Sequence, residues 1–321
     1  MSDMSDASDM PGAKQQRNLT SAAIPVVLAS GDYMENRRFP AVAGQFYKED
    51  KGSLLRQIQS MFLGPHGPGS LPVANQTRIG KVVGVLSPHA GYVYSGYAAA
   101  AAFNAIAEDG IPDVAVIIGP NHHGLGEPAA IMEQGTWETP LGAIRVDADV
   151  SACLLRSCPY LKADAFAHRL EHSIEVQAPF LQFICGDRTT IVPITMMVPP
   201  VAEAVPMAQH FGAAIAEAIE GRSAVVIAST DLTHYQPKVV AQRQDAKAIE
   251  AMTTLDAAKL LDTVETLDIS MCGAVPAAVA LEACRQMGAR RADLLAYYTS
   301  GDVMDHREPV VGYAAMKFTR R

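Results

Sequence analysis

Three apolar runs in this chain end in histidine-bearing turns. They are Val85-Leu86-Ser87-Pro88-His89-Ala90-Gly91-Tyr92, Ile117-Ile118-Gly119-Pro120-Asn121-His122-His123-Gly124 and Ile227-Ala228-Ser229-Thr230-Asp231-Leu232-Thr233-His234-Tyr235. A further segment, Ala167 to Glu175, adds His168 and His172, so six of the nine histidines fall in four short stretches. Neutral imidazole is the commonest metal ligand, and donors from several strand ends can face one point while leaving a coordination position open. The convergence points to a metal site. Taken singly, each histidine could instead cap a turn or hydrogen-bond a carbonyl.

Cys272 lies in Ser270-Met271-Cys272-Gly273-Ala274-Val275-Pro276, at the start of a helical pattern. Unpaired N–H groups and the positive end of a helix dipole favour thiolate there, the form that binds a metal or attacks an electrophile; a small buried core residue is the competing reading. Cys153, Cys185 and Cys284 fall on apolar stripes and read as core residues. Asp231 and His234, three apart after a strand, can pair a carboxylate with a proton-transferring imidazole; the same spacing also suits a plain turn and helix cap. Glu175 is expected to reach His172 one helical turn away and fix its tautomer, with an ion pair to Arg169 as the competing reading. Tyr92, Tyr94, Trp137 and Tyr235 lie close to the polar turns and could line an aromatic pocket, although Tyr94 and Trp137 also suit packing. The expected ligand contacts are Tyr92, His123, His172, Glu175 and Tyr235.

Such turns need a scaffold that gathers strand ends. Apolar strand-like runs alternate with helical patterns from Arg37 onward, which predicts an α/β fold with a mainly parallel or mixed central sheet flanked by helices. Strands are expected at Lys81 to Ser87, Val114 to Ile118, Thr190 to Val198, Ala224 to Ser229, Leu294 to Thr299 and Val311 to Phe318. Short strands and turns are expected around Trp137. Helices are expected at Ser95 to Glu108, Asp147 to Ser157, Ser173 to Cys185 with a kink or split at Pro179, Val201 to Glu220, Pro237 to Leu261 as one or two, and Ala274 to Met287. The alanine-rich helix from Ser95 could present an apolar face for self-association. In an open α/β sheet, ligands bind at the carboxyl ends of the strands, where the histidine turns gather. Residues 1 to 36 lack any period and read as a mobile tail, and 37 to 321 as one domain.

Composition narrows the function further. The 321 residues carry 26 basic and 34 acidic side chains, a net charge of −8, with no basic stripe, so an electrostatic nucleic-acid binder is excluded. With 49% hydrophobic and 19% charged residues the chain can bury a large core. No apolar run is long enough to span a membrane, and the acidic start argues against a secretory signal. Five cysteines without a C-x-x-C pair favour a reducing, cytoplasmic setting. There is no G-x-G-x-x-G, phosphate-binding lysine loop, G-x-S-x-G or H-E-x-x-H.

From about residue 38 to 318 the sequence resembles the Memo family, whose fold is similar to that of the class III extradiol ring-cleavage dioxygenases. The blocks that carry the resemblance, in order, are Phe39-Pro-Ala-Val-Ala-Gly44-Gln-Phe-Tyr47, Pro88 to Gly96, Gly119 to His123, Glu171-His-Ser-Ile-Glu175, Ser229 to His234 and Cys272-Gly273. The resemblance implies that His89, His122 and Cys272 occupy the metal-ligand positions with Asp231 and His234 beside them, His234 near the place of an acid/base histidine. Extradiol enzymes hold Fe(II) with two histidines and a carboxylate. A softer thiolate in the third position shifts the implied function toward an iron- or copper-binding redox protein. A radical-SAM protein is the partner the resemblance implies. The leading expectation is a mononuclear oxidoreductase, dioxygenase-like, acting on a small-molecule or peptide ligand in the cleft. The alternatives are a zinc hydrolase using Glu175 or Asp231 as base, and a non-enzymatic scaffold that holds a peptide or partner in the same cleft.

Overall fold

The computed structural model describes residues 37–75, 77–304 and 308–321. The tail expected over residues 1 to 36 lies outside them. The strands are β1 (Arg37–Arg38), β2 (Val82–Ser87), β3 (Val114–Pro120), β4 (Ala129–Ile131), β5 (Thr136–Thr139), β6 (Gly142–Arg145), β7 (Lys162–Ala163), β8 (Thr190–Met196), β9 (Ala224–Ser229), β10 (Arg291–Thr299) and β11 (Gly312–Thr319). The helices are α1 (Lys51–Leu63), α2 (Tyr92–Asp109), α3 (Ala148–Ser157), α4 (Ala178–Cys185), α5 (Val201–Ala218), α6 (Lys238–Thr253), α7 (Ala257–Thr266), α8 (Ala274–Gln286) and α9 (Ser300–Val303).

Eight strands form one mixed sheet in the order β10-β11-β2-β9-β3-β8-β4-β7. Its centre, β2, β9, β3 and β8, is parallel. β11 joins β2, and β4 joins β8, antiparallel. A second sheet, β1-β5-β6, sets Arg38 opposite Trp137. The central strands are apolar throughout because helices cover both faces. On β3, Val114, Val116 and Ile118 join the core beneath α3, α5, α7 and α8, whereas Ala115 and Ile117 join the core beneath α1, α2 and α4. In the second core Phe103 and Phe180 stack at 5.5 Å. Each such buried ring contributes about 1.5–3 kcal/mol relative to an exposed one.

The expected α/β class is the one observed, with three local differences. Helix α1 is not among the expected elements; Asp50 caps it by accepting from the Ser53 N–H, and Leu54, Ile58, Met61 and Phe62 bury its inner face. Those residues, with α4 and the sheet, cover the alanine-rich face of α2, so that face is not free for self-association. Around Pro179 the expected helix is split rather than kinked: a 3-10 turn over Glu175–Gln177 precedes α4, and Pro179 sits in the first turn of α4, where no N–H is needed.

β9 lies between β2 and β3, so the turns after all three strands meet at one edge. Gly273, the cap of α8, allows the fourth element to join them: a Cβ there would come within 2.5 Å of the Ser229 carbonyl oxygen. Among the described residues no helix is long and apolar enough to cross a membrane.

Candidate metal centre

The ligating atoms of His89, His122 and Cys272 lie within 4.8 Å of one another. Cys272 Sγ is 3.2 Å from His89 Nε2. His122 contacts the His89 ring edge to face at 5.1 Å and stacks on His172 at 4.6 Å. The imidazoles are held from behind. His122 Nδ1 is 2.9 Å from Glu171 Oε1, and the His122 backbone N–H donates to Glu171 Oε2 at 2.6 Å. Glu171 also accepts the Ser173 N–H at 2.8 Å and lies 3.5 Å from His172 Nδ1. Burial alone would raise the Glu171 carboxyl, but the hydrogen bond and charge of His122, the Ser173 N–H and His172 outweigh it and hold the group well below the usual carboxylate range. An ionised carboxylate only accepts, so His122 Nδ1 carries a proton, and Nε2 is the ring atom placed to ligate.

Burial, then the neighbouring imidazoles, keep His89 neutral. Burial lowers His172 to about 4 despite the Glu171 charge. Both are therefore bases or ligands at neutral pH rather than cations. Cys272 departs from expectation: burial and the Asp231 charge push its thiol up to about 12, so the helix start does not produce a free thiolate. Desolvation outweighs the dipole, and Cys272 would ionise only against a cation.

His89, His122, His172, Asp231, His234 and Tyr235 line one cleft of about 580 Å³, together with Phe46, Tyr94 and Tyr313. Tyr235 stands 74% exposed at its mouth in a left-handed conformation (φ 55°). Such strain in a residue with a Cβ is a feature of ligand-contacting positions. Asp231 does not orient His234 through a hydrogen bond. Its Oδ1 accepts the His89 N–H at 2.8 Å, while His234 Nδ1 lies 2.7 Å from the Ser270 carbonyl. A carbonyl only accepts, so His234 Nδ1 carries a proton.

Three expected ligand contacts, Tyr92, Glu175 and His123, are corrected. Tyr92 is buried, its hydroxyl donating to the Val176 carbonyl and its ring 4.8 Å from Phe180. Helix α2 starts at Tyr92 rather than Ser95, which turns this residue inward. Glu175 is also buried and holds neither His172 nor Arg169. It accepts from Tyr47 Oη at 2.6 Å and the Ala41 and Val42 N–H groups, and faces Arg38 at 2.5 Å. His123 is exposed and is not among the residues lining the cleft. Trp137 is buried beneath the Arg38 guanidinium at 4.5 Å. Glu171 and Ser270 escaped the residue-by-residue reading. Adjacency to His172 was a usable signal for Glu171; nothing local marks Ser270.

Glu171→Gln is expected to weaken metal binding about 10–100-fold, the usual cost of losing a carboxylate behind a ligating imidazole. Titration against a chromophoric chelator reads this, and unchanged affinity would remove Glu171 from the centre. A second expectation concerns acid. Burial, then Arg38, lower His168 to about 3 from 6.5. The unfolded chain then binds the extra proton first, so stability is full above pH 6.5 and falls toward pH 3, by up to about 1.4 kcal/mol per pH unit for this group. His168→Gln should flatten that slope in urea titrations at stepped pH; an unchanged slope would refute the assignment.

The fold and the clustered donors define an α/β protein with a candidate His/His/Cys metal centre at the carboxyl ends of its parallel strands. The family model described as Memo-like protein matches residues 38–317. The chain belongs to the Memo family. It is 45% identical over 285 residues to a MEMO1 family protein of Methanopyrus kandleri, covering 88% of this chain and 99% of that one. It is 43% identical over 278 residues to another from Thermotoga petrophila, covering 86% and 98%. Among solved structures, an uncharacterized protein of Escherichia coli K12 superposes with a TM-score of 0.53 at 12% identity, covering 74% of this chain and 99% of that chain, a likeness of fold alone.

Proposed function

We propose that this protein is a mononuclear iron- or copper-binding redox protein, dioxygenase-like, with His89, His122 and Cys272 as the ligands. The observation that carries this reading is the cluster of three donor atoms within 4.8 Å, whose chemistry fits a soft or borderline transition metal. Two imidazoles and one thiol supply the set, and with both rings neutral an ionised thiol would leave it with a single negative charge. Iron or copper held there would supply electron transfer next to the cleft.

The chain's own residues divide the remaining work. Glu171 fixes His122, and the Asp231 carboxylate holds the backbone that carries His89. His234 Nε2 accepts a proton from a ligand in the cleft, because its Nδ1 proton is committed to Ser270. Tyr94, Tyr235 and Phe46 bound the space in which a small molecule or a peptide side chain would lie.

Elemental analysis of anaerobically purified protein, with electron paramagnetic resonance, tests the reading. Near-stoichiometric iron or copper is expected. Zinc alone would redirect the site to hydrolysis, and protein that stays metal-free after reconstitution would leave a binding scaffold.

A further inference from the structure

Behind His89 runs a buried hydrogen-bond relay. Ser229 Oγ lies 2.6 Å from the Ser173 carbonyl oxygen, 2.9 Å from Gln177 Nε2 and 2.9 Å from His89 Nδ1. Gln177 Nε2 is also 2.9 Å from the Pro88 carbonyl oxygen. Ser229, Ser173 and Gln177 are fully buried and His89 is 2% exposed. These contacts leave one arrangement of protons. The Pro88 carbonyl can only accept, so the amide atom facing it is the NH₂, and that NH₂ must donate to Ser229 as well. The Ser173 carbonyl can only accept, and two oxygens 2.6 Å apart require a proton between them, so the single Ser229 hydroxyl proton goes there. Ser229 can then only accept from His89. His89 Nδ1 carries its proton, and its Nε2 lone pair is left pointing toward Cys272 Sγ at 3.2 Å.

We propose that Ser229 and Gln177 are positioning residues that lock His89 in the Nδ1-protonated tautomer and so hold Nε2 ready to ligate. The proposal rests on the metal-centre reading for its purpose, but the tautomer is a property of the protein without metal. Which imidazole nitrogen is bare is decided by the hydrogen bond the other makes. With the opposite tautomer, Nε2–H would donate toward Cys272 and no lone pair would face the centre. The Glu171 carboxylate does for His122 what the relay does for His89, by charge instead of by the direction of two neutral dipoles.

The experiment is ¹⁵N correlation of the histidine side chains in the full metal-free chain, with the His89 signals assigned by their loss in His89→Asn. Wild-type protein is expected to show His89 neutral and protonated at Nδ1. Ser229→Ala is expected to release the lock, move the proton at least partly to Nε2, and weaken zinc or cobalt binding about 10–100-fold. A wild-type His89 protonated at Nε2 overturns the proposal without any variant, which covers the case in which Ser229→Ala fails to fold. A folded Ser229→Ala protein that keeps both the Nδ1 proton and full affinity also overturns it. Wild-type protein with the expected tautomer that binds no metal would sink the metal-centre reading and leave the relay standing.

Discussion

His89→Ala is expected to abolish stoichiometric iron or copper binding while the chain stays folded. One of three donors is lost, and with it the contact to Cys272 Sγ, so the remaining His122 imidazole and a buried thiol pushed up to about 12 cannot hold the ion. Folding survives because the two apolar cores on either side of the sheet do not include His89. Cys272→Ala should behave alike, since the thiolate is the only anionic donor in the set. His210→Ala, on exposed α5 surface, should bind metal as the parent does. Metal analysis with far-ultraviolet circular dichroism checks all three; retained metal in folded His89→Ala would remove that residue from the ligand set.

The largest stability loss is expected for Arg38→Ala. The Arg38 guanidinium is 4% exposed and lies over Trp137; it donates through Nε to the His168 carbonyl at 3.1 Å and through Nη2 to the Glu171 carbonyl at 2.6 Å, and faces Glu175 through Nη1. Truncation strands the Glu175 carboxylate in the interior, which costs about 3–5 kcal/mol. It also frees the backbone on which Glu171 and His172 ride, so metal affinity should fall with stability. Lysine should not rescue, because a point charge cannot replace a fork with three partners. Arg38→Met combined with Glu175→Gln should recover much of the loss by removing both charges together. Urea midpoints at unchanged m-value measure these differences. A change below about 1 kcal/mol for Arg38→Ala would place the pair in the class of weak surface bridges.

Arg38 also marks a limit of sequence reading. Its partners Glu171 and Glu175 lie more than 130 positions away, and no periodicity relates them. Glu175 has the right spacing to serve His172 along a helix. The segment forms a 3-10 turn instead, and the carboxylate turns to Arg38 and Tyr47. Glu171, adjacent to His172 and thus off its helical face, takes the role. Tyr92 departs from expectation for a similar reason: one extra turn at the start of α2 rotates it from cleft to core.

What the sequence determined by itself is the order of the central strands, most of the helices that cover them, α1 excepted, and the identity of the polar turns. Local pattern is sufficient for these: two-sided burial makes the central strands apolar throughout, and histidine placed immediately after such a strand must sit at its carboxyl end. Tertiary structure alone decided which side chains face one another, and hence which imidazole nitrogen is bare, where the thiol proton sits, and which carboxylate stands behind which histidine. These depend on contacts made by β9 settling between β2 and β3 and by Gly273 packing against Ser229 and Thr230, which sets Cys272 Sγ beside His89. Hydrogen bonds and desolvation act over a few ångströms in space, and spacing along a chain does not encode that distance once strands from distant segments are interleaved.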